Sequence, residues 1–367
     1  MQDTVPFFRE TLLHWSAAHL RPLPWKGEPD PYKIWLSEII LQQTRVEQGL
    51  PYYERFVAAY PTVRHLADAP EDELMKLWEG LGYYSRARNL HAAARHIAHE
   101  LGGKFPQDYA GIRNLRGVGD YTAAAIASIA YALPHAVLDG NVYRVLARFF
   151  GIATPTDTPQ AKREFTALAN QLLDPERPGA FNQAIMDFGA TWCKPRQPRC
   201  AECPLAERCA ALATGQVADL PVKSKKMERK ERYFAYLVLR WQGDTWLRKR
   251  TAKDIWQNLF EFPMLELPAL PADAREAAAR FSQNADIPAA WLADARLSPP
   301  YRQTLTHREM AAVFFEIHLP SEPAVLLEQP FLSGCQRARY SDLKKKFAFP
   351  RIVDRYLQEG AVVLTLF

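Results

Sequence analysis

Apolar residues recur at helical spacing through the first half of the chain and at strand spacing only towards its end. Asp30-Pro31 opens a helix, with Asp as N-cap and Pro in the first turn, and Ile34, Trp35, Ile39 and Leu41 follow at helical spacing. The stretches Thr62 to Leu77, Arg86 to Leu101, Tyr121 to Leu133 and Val142 to Phe150 read the same way. Period-two alternation is scarce before residue 230, so the first region is predicted to be mostly helical. Beyond Cys209 the pattern changes. Val217 to Arg232 holds six basic residues, among them Lys223, Lys225, Lys226, Arg229 and Lys230, and no aromatic ones, which predicts a solvated linker. Tyr233 to Trp241, a turn at Gly243-Asp244 and the return Trp246 to Arg250 predict a hairpin. Met310 to Leu319 predicts a further strand, Ala272 to Phe281 a short helix and Arg351 to Gln358 a closing helix. The expected division is a helical region over 1–216, a basic linker over 217–231 and a mixed α/β domain over 232–367.

A chain of 367 residues is long enough for two or three domains. Its 48% hydrophobic share excludes wholesale disorder. Lys plus Arg number 46 and Asp plus Glu 41, a net charge of +5 that permits a polyanionic partner without demanding one. Five cysteines exclude a disulfide-dense secreted scaffold. The N-terminus carries Asp3, Arg9 and Glu10 where a signal peptide needs an apolar run. The least polar stretch, Tyr121 to Leu138, is too short and too polar to span a bilayer. A soluble intracellular protein with no membrane partner is expected.

Four cysteines fall within seventeen residues: Cys193, Cys200, Cys203 and Cys209. In a reducing cytosol such a cluster points to metal before disulfides. Zinc sites usually pair two C-x-x-C knuckles, and only one exists here, which leans towards a cubane iron–sulfur cluster. Lys194, Arg196 and Arg199 stud the same loop, stiffened by Pro195 and Pro198; such a loop suits phosphate contact, or is basic by chance. Gly117 and Gly119 stand just before an Ala-rich helix, flanked by Leu115 and Val118. Such glycines form an ordinary turn or a helix-hairpin-helix that grips DNA backbone without reading sequence. Glu38 has Ile34, Trp35 and Leu41 among its helical neighbours, so its carboxyl is desolvated and its pKa should rise, as a general acid requires. The alternative is a carboxylate paired with Arg45. Asp139, before Gly140-Asn141-Val142, reads by itself as an N-cap. Were it to meet Glu38, the two would form the protonated and ionised carboxyls that glycosidic cleavage uses.

Several strings occur together in order: Leu36-Ser37-Glu38-Ile39-Ile40-Leu41-Gln42-Gln43-Thr44, Gly80 to Arg88, the hairpin from Leu115, Asp139-Gly140-Asn141-Val142 and the cysteine loop. In combination they resemble the MutY family of adenine DNA glycosylases within the endonuclease III superfamily, over nearly the whole chain. The resemblance implies a two-lobed helical catalytic region with a flipped base in a pocket. It also implies one [4Fe–4S] cluster held by Cys193, Cys200, Cys203 and Cys209. The cluster supports the DNA-binding loop and takes no part in excision. The substrate implied is duplex DNA with adenine opposite 8-oxoguanine or guanine, whose removal prevents G to T transversions. Glu38 would protonate adenine N7. Asp139 would stabilise the developing positive sugar, with or without a covalent intermediate. Tyr121 and Asn141 would assist them. Gln43, Leu81 and Tyr83 resemble residues that enter the duplex, and Gly117 and Gly119 lie in the DNA-binding hairpin. Trp25, Lys26 and Gln183 resemble adenine-pocket residues, with Lys26 where an arginine is common.

The bifunctional endonuclease III branch carries a lysine at the position of Tyr121. A tyrosine cannot form its Schiff base, which implies a glycosylase without strong lyase activity. The C-terminal domain resembles the family's Nudix-like domain. It lacks the glutamate-rich Nudix box, so recognition of 8-oxoguanine is expected, not nucleotide hydrolysis. Thr306 and His307 match the loop that contacts the lesion, with Leu305 where a phenylalanine is common. The resemblance implies a monomer in the bacterial cytoplasm, nucleoid-associated through DNA, with repair or replication proteins as further partners. The competing readings are an endonuclease III-like glycosylase/lyase and a non-catalytic iron–sulfur DNA-binding protein or electron carrier.

Overall fold

The structure, a computed structural model, describes residues 3–224, 229–292 and 294–364. Lys225 and Lys226 of the expected linker lie outside the described residues. Packing divides the chain into two units: Met1–Asp68 with Asn89–Lys226, and Ala69–Arg88 with Met227–Phe367. This differs from the expected division, because residues 69–88 pack with the C-terminal part. The predicted helix Thr62 to Leu77 is in fact two, Val63–Asp68 and Glu71–Trp78. Pro70 separates them, since proline lacks the N–H a helix needs and drives the preceding residue out of the α region. The chain changes units at that break.

The first unit is helical, with Thr4–Ala18, Pro31–Leu41, Asp120–Tyr131, Gly140–Phe150, Pro159–Leu172 and Pro178–Thr191 its main elements. Asp30 caps Pro31–Leu41 as expected, its side chain accepting the Tyr32 N–H at 2.9 Å. The stretch predicted as Arg86 to Leu101 is a helix over Ser85–Arg95 that continues as a π turn over His96–Glu100. Phe8, Phe149, Phe165, Phe181 and Phe188 fill one core. Gly189 lets Pro178–Thr191 meet the start of Gly140–Phe150. A Cβ there would lie 2.7 Å from Asn141 Cβ and 3.1 Å from the Asn141 carbonyl oxygen.

The second unit is built on eight strands among the described residues: β1 Lys230–Arg240, β2 Asp244–Lys249, β3 Phe260–Glu261, β4 Met264–Leu267, β5 Arg296–Leu297, β6 Tyr301–Thr304, β7 Arg308–His318 and β8 Gln336–Arg339. One sheet runs β4-β1-β7-β5, with β6 also on β7, and the other runs β3-β2-β8. β1 and β7 pair in parallel from Lys230 opposite Arg308 to Arg240 opposite His318. The predicted hairpin is therefore corrected. β1 and β2 share a single bridge, Trp241 to Asp244, after which β2 joins the other sheet. Both edges of β1 are already taken by β4 and β7, which leaves β2 no partner there. Phe234 to Leu239 are buried on both faces, so the strand reads as an apolar run without alternation. Helices Ala274–Ser282 and Arg351–Leu364 complete the unit, and Tyr356 stacks on Phe314 at 3.8 Å.

The Gly189 contact has a measurable consequence. Gly189→Ala presses a methyl onto the Asn141 backbone and should cost about 1–3 kcal/mol. It should lower the denaturant midpoint of the full chain, whereas an unchanged midpoint would show that the two helices part freely.

Candidate active site

Capping by Asp30 orients Pro31–Leu41 so that Ile34, Trp35, Leu36, Ile39 and Ile40 are buried while Glu38 is only half-buried. Glu38 faces a cavity of about 180 Å³, which brings together seven residues expected from the sequence: Trp25, Lys26, Glu38, Tyr121, Asp139, Asn141 and Gln183. Among the described residues Glu38 has no ion pair with Arg45; its polar partner is the Tyr121 hydroxyl, an interaction that favours the ionised carboxyl. That hydroxyl also lies 3.3 Å from Met186 Sδ. Burial pushes the Glu38 carboxyl up to about 7, the charge of Asp139 adds to the rise and the Tyr121 bond opposes it. Burial, with the charges of Glu38 and Asp139, holds the Tyr121 hydroxyl protonated.

Asp139 is both an N-cap and a cavity residue. Its Oδ1 accepts the Val142 N–H at 2.7 Å, which starts Gly140–Phe150, and its Oδ2 accepts Asn141 Nδ2 at 2.7 Å. Burial raises Asp139, while those bonds and the Arg144 charge favour its ionised form. Arg144 is itself buried. It donates to Asn141 Oδ1 at 2.9 Å, to the Gly189 carbonyl at 2.6 Å and to the Cys193 carbonyl at 2.8 Å. The carboxylate, its amide partner and the start of the cysteine loop are thus joined by one guanidinium. The same cavity holds two charged residues that sequence reasoning missed, Asp187 and Arg21. Asp187 accepts from Arg21 at 2.8 Å and from Lys26. Burial, then Arg21, draws Lys26 down to about 8. Asp187 follows Gln183 by one helical turn in an otherwise apolar stretch, a signal that could have found it.

The other expected residues lie elsewhere. Gln43 follows the end of the Glu38 helix with φ +54°. Gly117 and Gly119 line a second cavity that shares Tyr121 with the first. Gly117 has φ +82°, and a Cβ on it would lie 2.6 Å from Asn89 Cβ, so the turn requires glycine. In the second unit, Leu81 is buried at 6% exposure and Tyr83 is exposed at 44%, with φ +46°. Of the two, Tyr83 is the side chain that can reach outward. Its hydroxyl hydrogen-bonds Thr306, and His307 is exposed beside it in the chain.

Cys193, Cys200, Cys203 and Cys209 all line one small cavity in the first unit, together with Trp192 and Arg148. Arg148 Nη1 lies 3.5 Å from Cys193 Sγ and holds the loop through the Lys194 carbonyl at 2.8 Å. Four soft donors around one space, with a cation beside them, fit a thiolate-bound iron–sulfur group. Cys335 is not part of this cavity.

Comparison with known proteins places this geometry. Residues 36–171 match the HhH-GPD superfamily of base excision DNA repair proteins, and residues 235–359 match a NUDIX domain. The adenine DNA glycosylase of Buchnera aphidicola subsp. Schizaphis graminum is 36% identical over 261 residues, covering 71% of this chain and 75% of that protein. The chain belongs to the adenine DNA glycosylase family. The Homo sapiens adenine DNA glycosylase is 41% identical over 235 residues, covering 59% of this chain and 43% of that protein. Among solved structures, a thermostable thymine-DNA glycosylase superposes with TM-score 0.54 at 29% identity, over 58% of this chain and 98% of its own. This DNA glycosylase therefore joins a helical HhH-GPD domain to a Nudix-like domain, as its sequence suggested. No helix among the described residues is long and apolar enough to cross a membrane.

The desolvated acid carries a cost to the glycosylase's stability. With a folded pKa near 7, Glu38 lies above the ordinary value of 4.5. Below pH ~4 both folded and unfolded chains hold the proton and nothing is lost. Between 4.5 and about 7 the unfolded chain has lost the proton that the folded chain still holds, so stability falls across that window and levels off above it. Glu38→Gln should therefore raise the melting temperature at pH 8 and leave it nearly unchanged at pH 4. Equal effects at both pH values would contradict the raised pKa.

Proposed function

We propose that this chain is a monofunctional adenine DNA glycosylase acting on adenine mispaired with 8-oxoguanine or guanine in duplex DNA. The observation that carries the reading is the single cavity shared by Glu38, with its carboxyl near 7, Tyr121 and the hydrogen-bonded Asp139. Cleaving an N-glycosidic bond needs a proton on the leaving base and a negative charge beside the cationic sugar. Glu38 gives its proton to adenine N7, the C1′–N9 bond breaks with its electron pair going to the base, and Asp139 stabilises the oxocarbenium-like C1′. Water then supplies the hydroxyl at C1′, directly or through an acetal with Asp139, leaving free adenine and an abasic site. Tyr121 holds Glu38 in place, and Asn141 favours the ionised form of Asp139. Trp25, Lys26 and Gln183 face the same cavity and suit the edge and face of a flipped base.

Strand cleavage would need an amine on C1′, and Tyr121 offers none. The amine lining the same cavity, Lys26, is engaged by Asp187. Phosphate contact falls to the Gly117–Gly119 hairpin and to Lys194, Arg196 and Arg199 of the cysteine loop. The four cysteines are proposed to hold one [4Fe–4S] cluster, which supplies the loop with a rigid frame when bound. Gln43, Leu81 and Tyr83 are proposed to act at the base stack, and Thr306 and His307 to contact the 8-oxoguanine. Such a substrate places the enzyme on the bacterial chromosome, as a monomer that meets other repair or replication proteins there.

A single-turnover incubation tests this on duplexes holding adenine opposite 8-oxoguanine, adenine opposite guanine, and thymine opposite guanine, with half of each sample treated with alkali. The adenine strands should be nicked only after alkali and the thymine strand not at all. Glu38→Gln should abolish excision while DNA binding is largely kept. Nicking without alkali, or release of thymine alone, would overturn the assignment.

A further inference from the structure

Residues 80–84 form a loop whose setting is controlled from two sides. Within it, Trp78 Nε1 donates to the Gly82 carbonyl at 3.0 Å, and the Arg86 guanidinium lies over the rings of both Trp78 and Tyr83, at 5.1 and 5.6 Å. Around it, three side chains reach one short backbone segment, 347–349, of the C-terminal part. Glu79 Oε1 accepts the Phe349 N–H at 2.8 Å. Lys76 donates to the Phe347 carbonyl at 2.9 Å and to Glu79 Oε2. The Tyr84 hydroxyl donates to the Phe349 carbonyl at 3.4 Å. Lys76, Glu79 and Tyr84 therefore bracket the loop, and all belong to the second packing unit with residues 347–349. The loop's own tip, Tyr83, bonds Thr306 of the same unit.

We propose that Glu79 is a positioning residue that clamps the 80–84 loop to the 347–349 segment, so that the grip of the C-terminal part on the opposite base sets the loop that enters the duplex. This rests on the reading that Thr306 and His307 contact 8-oxoguanine. Glu79 suits the task because it caps the C-terminal end of Glu71–Trp78, immediately before Gly80. A carboxylate held by both an ammonium and a backbone N–H fixes the exit angle of that helix better than either contact alone. Without the clamp, Tyr83 is tied to the unit chiefly by its bond to Thr306 and by Arg86, and the loop can settle without regard to the opposite base.

The test is the single-turnover rate of the full-length enzyme on adenine opposite 8-oxoguanine and opposite guanine, with Glu79→Ala and Glu79→Gln. The wild type should prefer 8-oxoguanine. Glu79→Ala should lose about tenfold of that preference, the size expected from one charge-assisted hydrogen bond, with the rate opposite guanine within about twofold of wild type. Glu79→Gln keeps an oxygen that accepts the Phe349 N–H and should retain most of the preference. Equal loss on both substrates would make Glu79 merely structural, and an unchanged ratio would remove it from discrimination; either overturns the proposal alone. A wild type without preference would overturn the reading beneath it as well. If Glu79→Ala does not fold, Lys76→Met cuts the other half of the bridge and should show the same loss, smaller in size.

Discussion

The site depends on taking one carboxyl out of water without giving it a cation. Glu38 lies among apolar neighbours on Pro31–Leu41 with Tyr121 as its hydrogen-bond partner and Asp139 as its charged neighbour. A cation in place of Tyr121 would pull the carboxyl down and leave it ionised at neutral pH. A fully apolar wall would leave it protonated but undirected. The hydroxyl orients the acid at a modest electrostatic cost, and a pKa near 7 lets one residue hold its proton at working pH and still release it.

The second carboxyl is raised by burial as well, but more partners oppose the rise. Asp139 is half-buried too, yet the Val142 N–H, Asn141 and Arg144 all favour its charge. Glu38 has one hydrogen-bond partner opposing its rise and Asp139 several, a difference that suits the two to separate roles. The scaffold that achieves this is narrow. Gly189 brings one helix against Asn141, and Arg144 spans Asn141, Gly189 and Cys193. The cysteine loop and Asp139 thus share a support.

Much of this was legible in the sequence because it is local. The Asp30-Pro31 cap, the apolar flanks of Glu38 and the N-cap of Asp139 each follow from residues within one helical turn. The meeting of Glu38, Tyr121 and Asp139 was not legible from spacing; only the resemblance implied it. The Asp187 pair was missed because its partners, Arg21 and Lys26, lie far away in the chain. The packing of residues 69–88 with the C-terminal part was not legible for a related reason. The side chains that tie residues 69–88 to the C-terminal part, such as Asn258 on Glu71 and Lys249 on Asp72, are separated from them by more than 170 positions. The β1–β2 hairpin failed because a turn signal does not reveal that β7, some 80 residues on, claims the strand edge.

The central claim is that Glu38 works as an acid held protonated near neutrality by burial and tempered by Tyr121. It is tested most directly by the rate constant for adenine release, measured under single turnover from pH 5 to 9. The rate should fall as pH rises through about 7, and in Tyr121→Phe, which lacks the bond favouring the ionised carboxyl, that fall should move to higher pH. A rate that is flat or rises across this range, or a fall that Tyr121→Phe leaves in place or moves to lower pH, would contradict the account.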